Sequence, residues 1–199
     1  MKQPDTPFED PKARYQAGLF GMWIFLIALA VLFVSVILGY VVVRVDNGAD
    51  FIPVGAPPPP QLLLVSTLLL LVSSVSVQGA VRAARAGDPR QGQRMVLTVG
   101  LAFGFLALQA IAWWQLAQQS LLPTDNLYAW TFYVLTALHA AHVLGGLPPM
   151  LIVTARALRG AYGPDDHRGI VYCAMYWHFL DAVWVVLYAT LWFGSIRET

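Results

Sequence analysis

Residues 19–43 read LFGMWIFLIALAVLFVSVILGYVVV, a run of 25 positions without a charged side chain. An α-helix rises about 1.5 Å per residue, so about 20 apolar residues cross the hydrocarbon core of a bilayer. The run is too long for the apolar segment of a cleaved signal peptide, and the acidic stretch DTPFEDP precedes it at residues 5–11. We therefore expect an uncleaved first helix that spans a membrane.

The composition of the whole chain indicates the same environment. Of its 199 residues, 58% are hydrophobic and 12% are charged, whereas a soluble domain carries about 25% charged residues. This composition excludes a soluble enzyme, a nucleic-acid-binding protein and a disordered chain. The single cysteine, Cys173, excludes a disulfide framework and any multi-cysteine metal site within one copy.

Four further stretches reach the length of a spanning helix. The sequence thus predicts an all-α integral membrane protein, a bundle of five transmembrane helices in one domain over residues 19–194. Residues 1–18 are expected to form an N-terminal arm, and residues 195–199 a short tail. The predicted spans are 19–43, 61–81, 95–117, 128–158 and 170–194.

The basic residues predict the orientation of this bundle. Lysine and arginine gather on the cytoplasmic side of membrane proteins. With the N-terminus inside, ten of the 12 basic residues fall on the inner side, and only Arg44 and Arg197 fall outside. We therefore predict a cytoplasmic arm and an external C-terminus. The inner residues are Lys2, Lys12, Arg14, Arg82, Arg85, Arg90, Arg94, Arg156, Arg159 and Arg168.

Small residues at helical spacing predict where the helices pack. Gly100 and Gly104 are four apart on the third helix, and Ala137, Ala141 and Gly145 recur every four positions on the fourth. Small side chains let helix backbones approach closely in lipid, so these faces are expected to point at neighbouring helices. We expect helices three, four and five to form the tightest part of the bundle.

Four ionisable side chains fall deep inside the predicted spans. His139 and His142 share one face of the fourth helix, and His178 and Asp181 share one face of the fifth. Three roles are open for them: a metal site, a proton relay, and a structural polar network that joins the two helices. Because antiparallel packing brings His142 and Asp181 to similar depth, we favour the network, with a hydrogen bond between these two. No catalytic, cofactor-binding or metal-binding residue is predicted.

The same two helices carry stretches that resemble cytochrome c oxidase subunit III. HAAHVLG is similar to the family's histidine–glycine–x–histidine–valine–x–x–glycine signature, and YWHFLDAVW is similar to its tyrosine–tryptophan–histidine–phenylalanine–x–aspartate–x–valine–tryptophan stretch. The other three helices carry the shorter similarities GMWIF, LLLVSSVS and GFLALQ in the family's order. The resemblance covers residues 18–194, and its five stretches are 139–145, 176–184, 21–25, 69–76 and 104–109.

The sequence departs from the family pattern at several points. The long form of the family has seven helices, so this chain resembles the short bacterial form with five. Glutamates that the family often has are replaced by Leu29 and Ala112, and a signature glycine by Ala140. Any role of those carboxylates therefore does not carry over, and neither does the lipid-filled cleft of the long form.

The resemblance implies a subunit without redox centres in a bacterial haem–copper terminal oxidase of aerobic respiration. Haem and copper are expected in the partner subunits, and no cofactor in this chain. Subunit III packs against subunit I, stabilises it and supports proton uptake. The implied location is the bacterial inner membrane, with other oxidase subunits and membrane lipids as partners and no nucleic acid.

Other functions remain open at the level of sequence. The same scaffold could serve a quinol oxidase or a complex associated with nitric oxide reductase, because nothing in the chain is expected to contact the electron donor. An independent small transporter or proton carrier would use the four ionisable residues as a relay, and broken helices would favour it. The adjacent prolines Pro148 and Pro149 predict one such break. A metal-binding membrane enzyme would need further ligands.

Overall fold

The structure is a computed structural model that describes residues 11–53, 60–119 and 121–195. Residues 1–10 of the predicted N-terminal arm and residues 196–199 of the predicted tail lie outside the described residues.

The described residues form five long α-helices and one short 3-10 turn, without a strand among them. Each long helix is long and apolar enough to cross a membrane, which confirms the predicted fold class. Several helices extend beyond the predicted spans, because a helix continues where the chain leaves the hydrocarbon core. The helices are α1 (Pro11–Asn47), α2 (Leu62–Arg85), α3 (Gln91–Gln118), α4 (Leu127–Leu158) and α5 (Arg168–Gly194), and the 3-10 turn is Gly48–Phe51.

Helices α2, α3, α4 and α5 close a ring, in which each contacts the next and α5 returns to α2. Helix α1 lies outside the ring and packs mainly on α5. The most extensive contact joins α2 and α3, which a short loop connects as an antiparallel hairpin. The expectation that helices three, four and five form the tightest part is therefore wrong.

The small-residue faces do not all lie where they were predicted. A Cβ added at Gly100 or Gly145 would meet nothing within 4 Å, and Ala137 and Ala141 are exposed in this chain. Only Gly104 faces a neighbour, the Leu69 side chain of α2 at 3.3 Å from its would-be Cβ. The predicted faces of Gly100 and of Ala137, Ala141 and Gly145 thus point away from the bundle.

Close approach on α4 occurs instead at the next glycine along the chain. A Cβ on Gly146 would overlap the ring of Tyr176 on α5. Ala140, Val143 and Leu147 share the buried side of α4 with Gly146. Consecutive glycines lie about 100° apart around a helix, so Gly145 and Gly146 cannot both serve the same contact. The sequence did not show which of the two faces α5.

Helix α4 continues through its adjacent prolines. Pro148 and Pro149 are both exposed, and the residues on either side are helical. Transmembrane helices tolerate proline because neighbouring groups compensate for the lost backbone hydrogen bonds. The predicted unwinding at the prolines is therefore wrong, and α4 does not supply the broken helix that a transporter would use.

Candidate functional site

Two buried tryptophans join α5 to α2. The indole Nε1 of Trp177 donates to Ser73 Oγ at 2.7 Å, and that of Trp184 donates to Thr67 Oγ1 at 2.9 Å. Both tryptophan side chains are at most 1% exposed. An indole has a single N–H donor, which usually finds a partner when it is buried. These two hydrogen bonds therefore fix both the depth and the rotation of α5 against α2.

His178 adds a third contact between the same helices, at the edge of the ring. Its Nδ1 lies 2.6 Å from Ser74 Oγ, and its Nε2 lies 3.1 Å from Gln78 Oε1. The amide oxygen only accepts, so Nε2 donates to Gln78 and Nδ1 of the neutral ring accepts from Ser74. The partners of His178 are thus on α2, whereas the predicted network joined the fourth and fifth helices.

His142 does not bond to Asp181. Its Nδ1 lies 2.7 Å from the Leu138 carbonyl oxygen within α4, and its ring packs on Phe33 of α1 at 4.9 Å between centroids. At this level α5 bonds to the backbone of α4 and not to the His142 ring, since Tyr176 Oη donates to the His142 carbonyl at 2.8 Å. The predicted hydrogen bond is therefore wrong, because His142 faces α1.

Asp181 lies inside the ring with its carboxyl group unpaired. The residue is 5% exposed, and neither carboxyl oxygen accepts or donates a hydrogen bond among the described residues. The Ser74 hydroxyl lies beside it without hydrogen-bond geometry. A carboxyl group in this position is costly to bury.

His139 lies in an aromatic cage and also lacks a polar partner. The residue is fully buried, and neither ring nitrogen has a hydrogen bond among the described residues. The rings of Trp184 and Phe105 lie 4.9 and 5.6 Å from its own ring, and that of Phe33 lies 6.3 Å away. Gln109 on α3 is likewise buried with both side-chain polar atoms unpaired. The sequence analysis gave Gln109 no role.

The four predicted residues therefore do not converge on one site. His139 faces aromatic rings, His142 faces α1, and His178 faces α2. Within the described ranges, no group of three or more His, Cys, Asp or Glu side chains is placed to hold a metal ion. Of the four, only His178 forms a side-chain hydrogen bond to another helix among the described residues.

The replaced family glutamates lie in two different environments. Ala112 is fully buried on α3, one turn from Gln109, whereas Leu29 is half-buried on α1, one turn from Phe33. Neither position offers a polar side chain to the buried histidines.

Sequence reasoning missed the hydrogen bonds that residues of α2 form to α5. Thr67, Ser73 and Ser74 are small hydroxyl residues at helical spacing, and they bond across the helix interface. Their signal was a polar stripe on an otherwise apolar helix. Pairing it with Trp177 and Trp184 required the relative rotation of two helices, which the sequence does not specify.

The loop between α4 and α5 packs against the N-terminal end of α3. Gln91 Nε2 donates to the Tyr162 carbonyl at 2.8 Å, which ties this loop to α3. Burial raises the pKa of the Tyr162 phenol. Hydrogen bonding from Arg168, 2.9 Å away, lowers the pKa of Asp166. These contacts hold the loop between α4 and α5 against the first residues of α3 and α5.

Comparison with known proteins gives a consistent answer. The family Cytochrome c oxidase subunit III matches residues 10–196. The chain is 34% identical over 122 residues to cytochrome c oxidase subunit 3 of Corynebacterium diphtheriae, covering 61% of this chain and 60% of that protein. It is 33% identical over 173 residues to the Synechocystis protein of the same name, covering 85% and 72%.

Animal relatives are matched over a smaller share of their length. The Gallus gallus cytochrome c oxidase subunit 3 is 34% identical over 125 residues, which is 62% of this chain and 47% of that protein. The chain thus spans about half the length of several relatives that it matches. The family match covers all five helices. It includes the stretch YWHFLDAVW of α5, at residues 176–184. The chain belongs to the cytochrome c oxidase subunit III family.

Proposed function

We propose that this chain is the non-redox subunit III of a bacterial haem–copper terminal oxidase, a cytochrome c oxidase of aerobic respiration. In this role it stabilises subunit I and supports proton uptake. The observation that carries the proposal is the family match over residues 10–196. The geometry supports it, because Trp177, Trp184 and His178 bond to α2, and the four buried ionisable side chains do not form a common reaction site.

Haem and copper are proposed to reside in the partner subunits. Haem needs axial ligands at matched depth on facing helices, and the histidines of α4 and α5 face different neighbours. The described side chains thus fit a scaffolding role in an oxidoreductase complex, with no catalytic centre in this chain.

We propose that the exposed face of Ala137, Ala141 and Gly145 contacts subunit I. These three residues are exposed in this chain, and a Cβ on Gly145 would meet nothing within 4 Å. Small residues favour close helix approach in membranes, so the face suits a helix of another subunit. Lipid acyl chains are proposed to fill the apolar groove of about 320 Å³ that Met22, Phe25, Pro149 and Tyr176 line between α1, α4 and α5.

The proposed location is the bacterial inner membrane, with the N-terminus inside and the C-terminus outside. The distribution of basic residues supports this orientation. Gln91 follows the loop between α2 and α3, and Tyr162 lies in the loop between α4 and α5. Their hydrogen bond supports the proposal that these two loops lie on the same side of the membrane.

Affinity purification of the tagged chain tests the proposal. We expect subunits I and II to copurify from mild detergent, with haem absorbance, copper, and oxygen consumption from reduced cytochrome c. Consumption from quinol alone would instead assign the scaffold to a quinol oxidase. The chain stripped of its partners is expected to hold neither haem nor copper. Purification of the chain alone, or with partners that hold no haem, would contradict the proposal.

A further inference from the structure

The half-buried Arg94 of α3 lies against the buried Gly79 of α2 in the α2–α3 hairpin. The space where a Cβ of Gly79 would stand is 3.2 Å from Arg94 Cδ and 3.3 Å from its Cζ, and it overlaps one guanidinium nitrogen. Only a glycine on α2 leaves room for the guanidinium at this place. The backbone of Arg94 is fixed as well, since its carbonyl accepts from Ser76 Oγ of α2 at 2.9 Å.

The guanidinium has no anionic partner in the described part of the chain. The only ion pair there joins Arg168 and Asp166, and the Arg94 side chain forms no hydrogen bond to another described residue. The acidic residue of the hairpin loop, Asp88, accepts from the backbone N–H of Arg90 at 2.9 Å. Arg94 is half-buried, so its five donors are partly removed from water while they lack an acceptor.

The surroundings of Arg94 are polar on one side and apolar on the other. Arg82 and Arg90 lie one turn nearer the loop, and both are exposed. Toward the middle of the membrane, Val75 is 74% exposed and Leu97 is 52% exposed. Since Arg94 lies in the first turn of α3, its head is about 5 Å from the helix end, at the depth of lipid headgroups.

We propose that the Gly79–Arg94 contact forms a binding site for the phosphate of an anionic phospholipid. The planar guanidinium binds two phosphate oxygens. Arg82 and Arg90 add positive charge on the headgroup side, and the acyl chains lie along Val75 and Leu97. The site does not depend on the proposed oxidase role, because it uses only residues of α2 and α3.

The site predicts a dependence on Gly79 that general charge attraction would not show. Gly79→Ala keeps every charge, but its Cβ displaces the flexible guanidinium from its position. Arg94→Gln removes the charge itself. Arg159→Gln is the matched control, since it removes an exposed arginine at the same end of the bundle that follows α4 and does not belong to the α2–α3 hairpin.

Native mass spectrometry of the full chain, with the subunits that copurify, tests the site in mixed micelles of phosphatidylglycerol and phosphatidylcholine. We expect Arg94→Gln and Gly79→Ala each to lower retention of phosphatidylglycerol about tenfold, equivalent to about 1.4 kcal/mol, with little change for Arg159→Gln. If Arg94→Gln does not accumulate, Gly79→Ala decides the question.

Three results would overturn the site. The first is unchanged retention in Gly79→Ala. The second is an equal loss in Arg94→Gln and Arg159→Gln, which would indicate general charge attraction. The third is loss of a partner subunit with lipid still bound, which would indicate that Arg94 pairs with a carboxylate of that subunit.

Discussion

Helix α5 packs against α2 on one side and against α1 on another, and different contacts hold the two pairs. Between α2 and α5, Trp177 and Trp184 donate buried hydrogen bonds to Ser73 and Thr67. Between α1 and α5, the polar contacts among the described residues occur near the two ends of α1. Tyr172 Oη donates to the Tyr15 carbonyl near the N-terminal end of α1 at 3.3 Å, and Arg44 near the C-terminal end of α1 donates to the Gly194 carbonyl.

The middle of the α1–α5 contact is apolar and incompletely filled. A groove of about 450 Å³ lies beside it, lined by Trp23, Leu26, Met175 and Phe179 among others. Lipid tails are as apolar as leucine, so apolar contact alone gives helices little reason to associate in a bilayer. The comparison teaches that buried indole–hydroxyl bonds fix the ring, whereas α1 is attached at its two ends.

The largest expected effect comes from filling the closest approach within the ring. Gly146→Val would push against the Tyr176 ring, and we expect a loss of about 3 kcal/mol in the free energy of unfolding from overpacking. Gly145→Val is the matched control, because its side chain meets nothing within 4 Å in this chain. The midpoint of unfolding in SDS, followed by circular dichroism, measures both variants. Equal losses would show that the ring does not close at Gly146.

Removing one acceptor of the α2–α5 contact should have an intermediate effect. Ser73→Ala leaves the Trp177 N–H buried without a partner, at a cost of about 1–3 kcal/mol. Ser66→Ala is the control, since Ser66 is equally buried but donates only within its own helix, to the Leu63 carbonyl at 2.9 Å. The same SDS titration compares them. If Ser66→Ala cost as much as Ser73→Ala, the cross-helix bond would not be what holds α5.

The smallest expected effect concerns the end of α1. Arg44 Nε donates to the Gly194 carbonyl at 3.2 Å, at the C-terminus of α5. A cation at this end of a helix contributes about 0.3–1 kcal/mol. Arg44→Gln should therefore hardly change the unfolding midpoint, but it should speed hydrogen exchange in the last turns of α1. Faster exchange throughout the ring would mean that α1 is not a separately attached helix.

The fold could be predicted from the sequence because the bilayer imposes a length and a polarity that the five spans satisfy. Arg44 directly follows the apolar run 19–43. The structure gives this charge two contacts, since its Nε donates to the carbonyl at the end of α5 and its guanidinium lies over the Phe51 ring at 5.4 Å. What hydropathy cannot give is the rotation of each helix about its own axis.

The predicted pair of His142 and Asp181 shows this limit. Their similar depth followed from antiparallel packing, but depth does not decide which way a side chain faces. His142 turns to Phe33 on α1, and Asp181 lies beside Ser74 on α2. Likewise, the spacing of Ala137, Ala141 and Gly145 predicted a packing face, and the helix presents Gly146 to α5 instead.

Oxygen turnover per assembled complex in Asp181→Asn tests the central claim most directly, that the buried ionisable side chains of this chain do not carry protons. Asparagine keeps the shape of the buried carboxyl group but cannot take part in proton transfer. We expect normal subunit content and turnover within about twofold of the unaltered complex, a change of about 0.4 kcal/mol in the barrier. Turnover near zero with normal subunit content would contradict the account and assign Asp181 to a proton path.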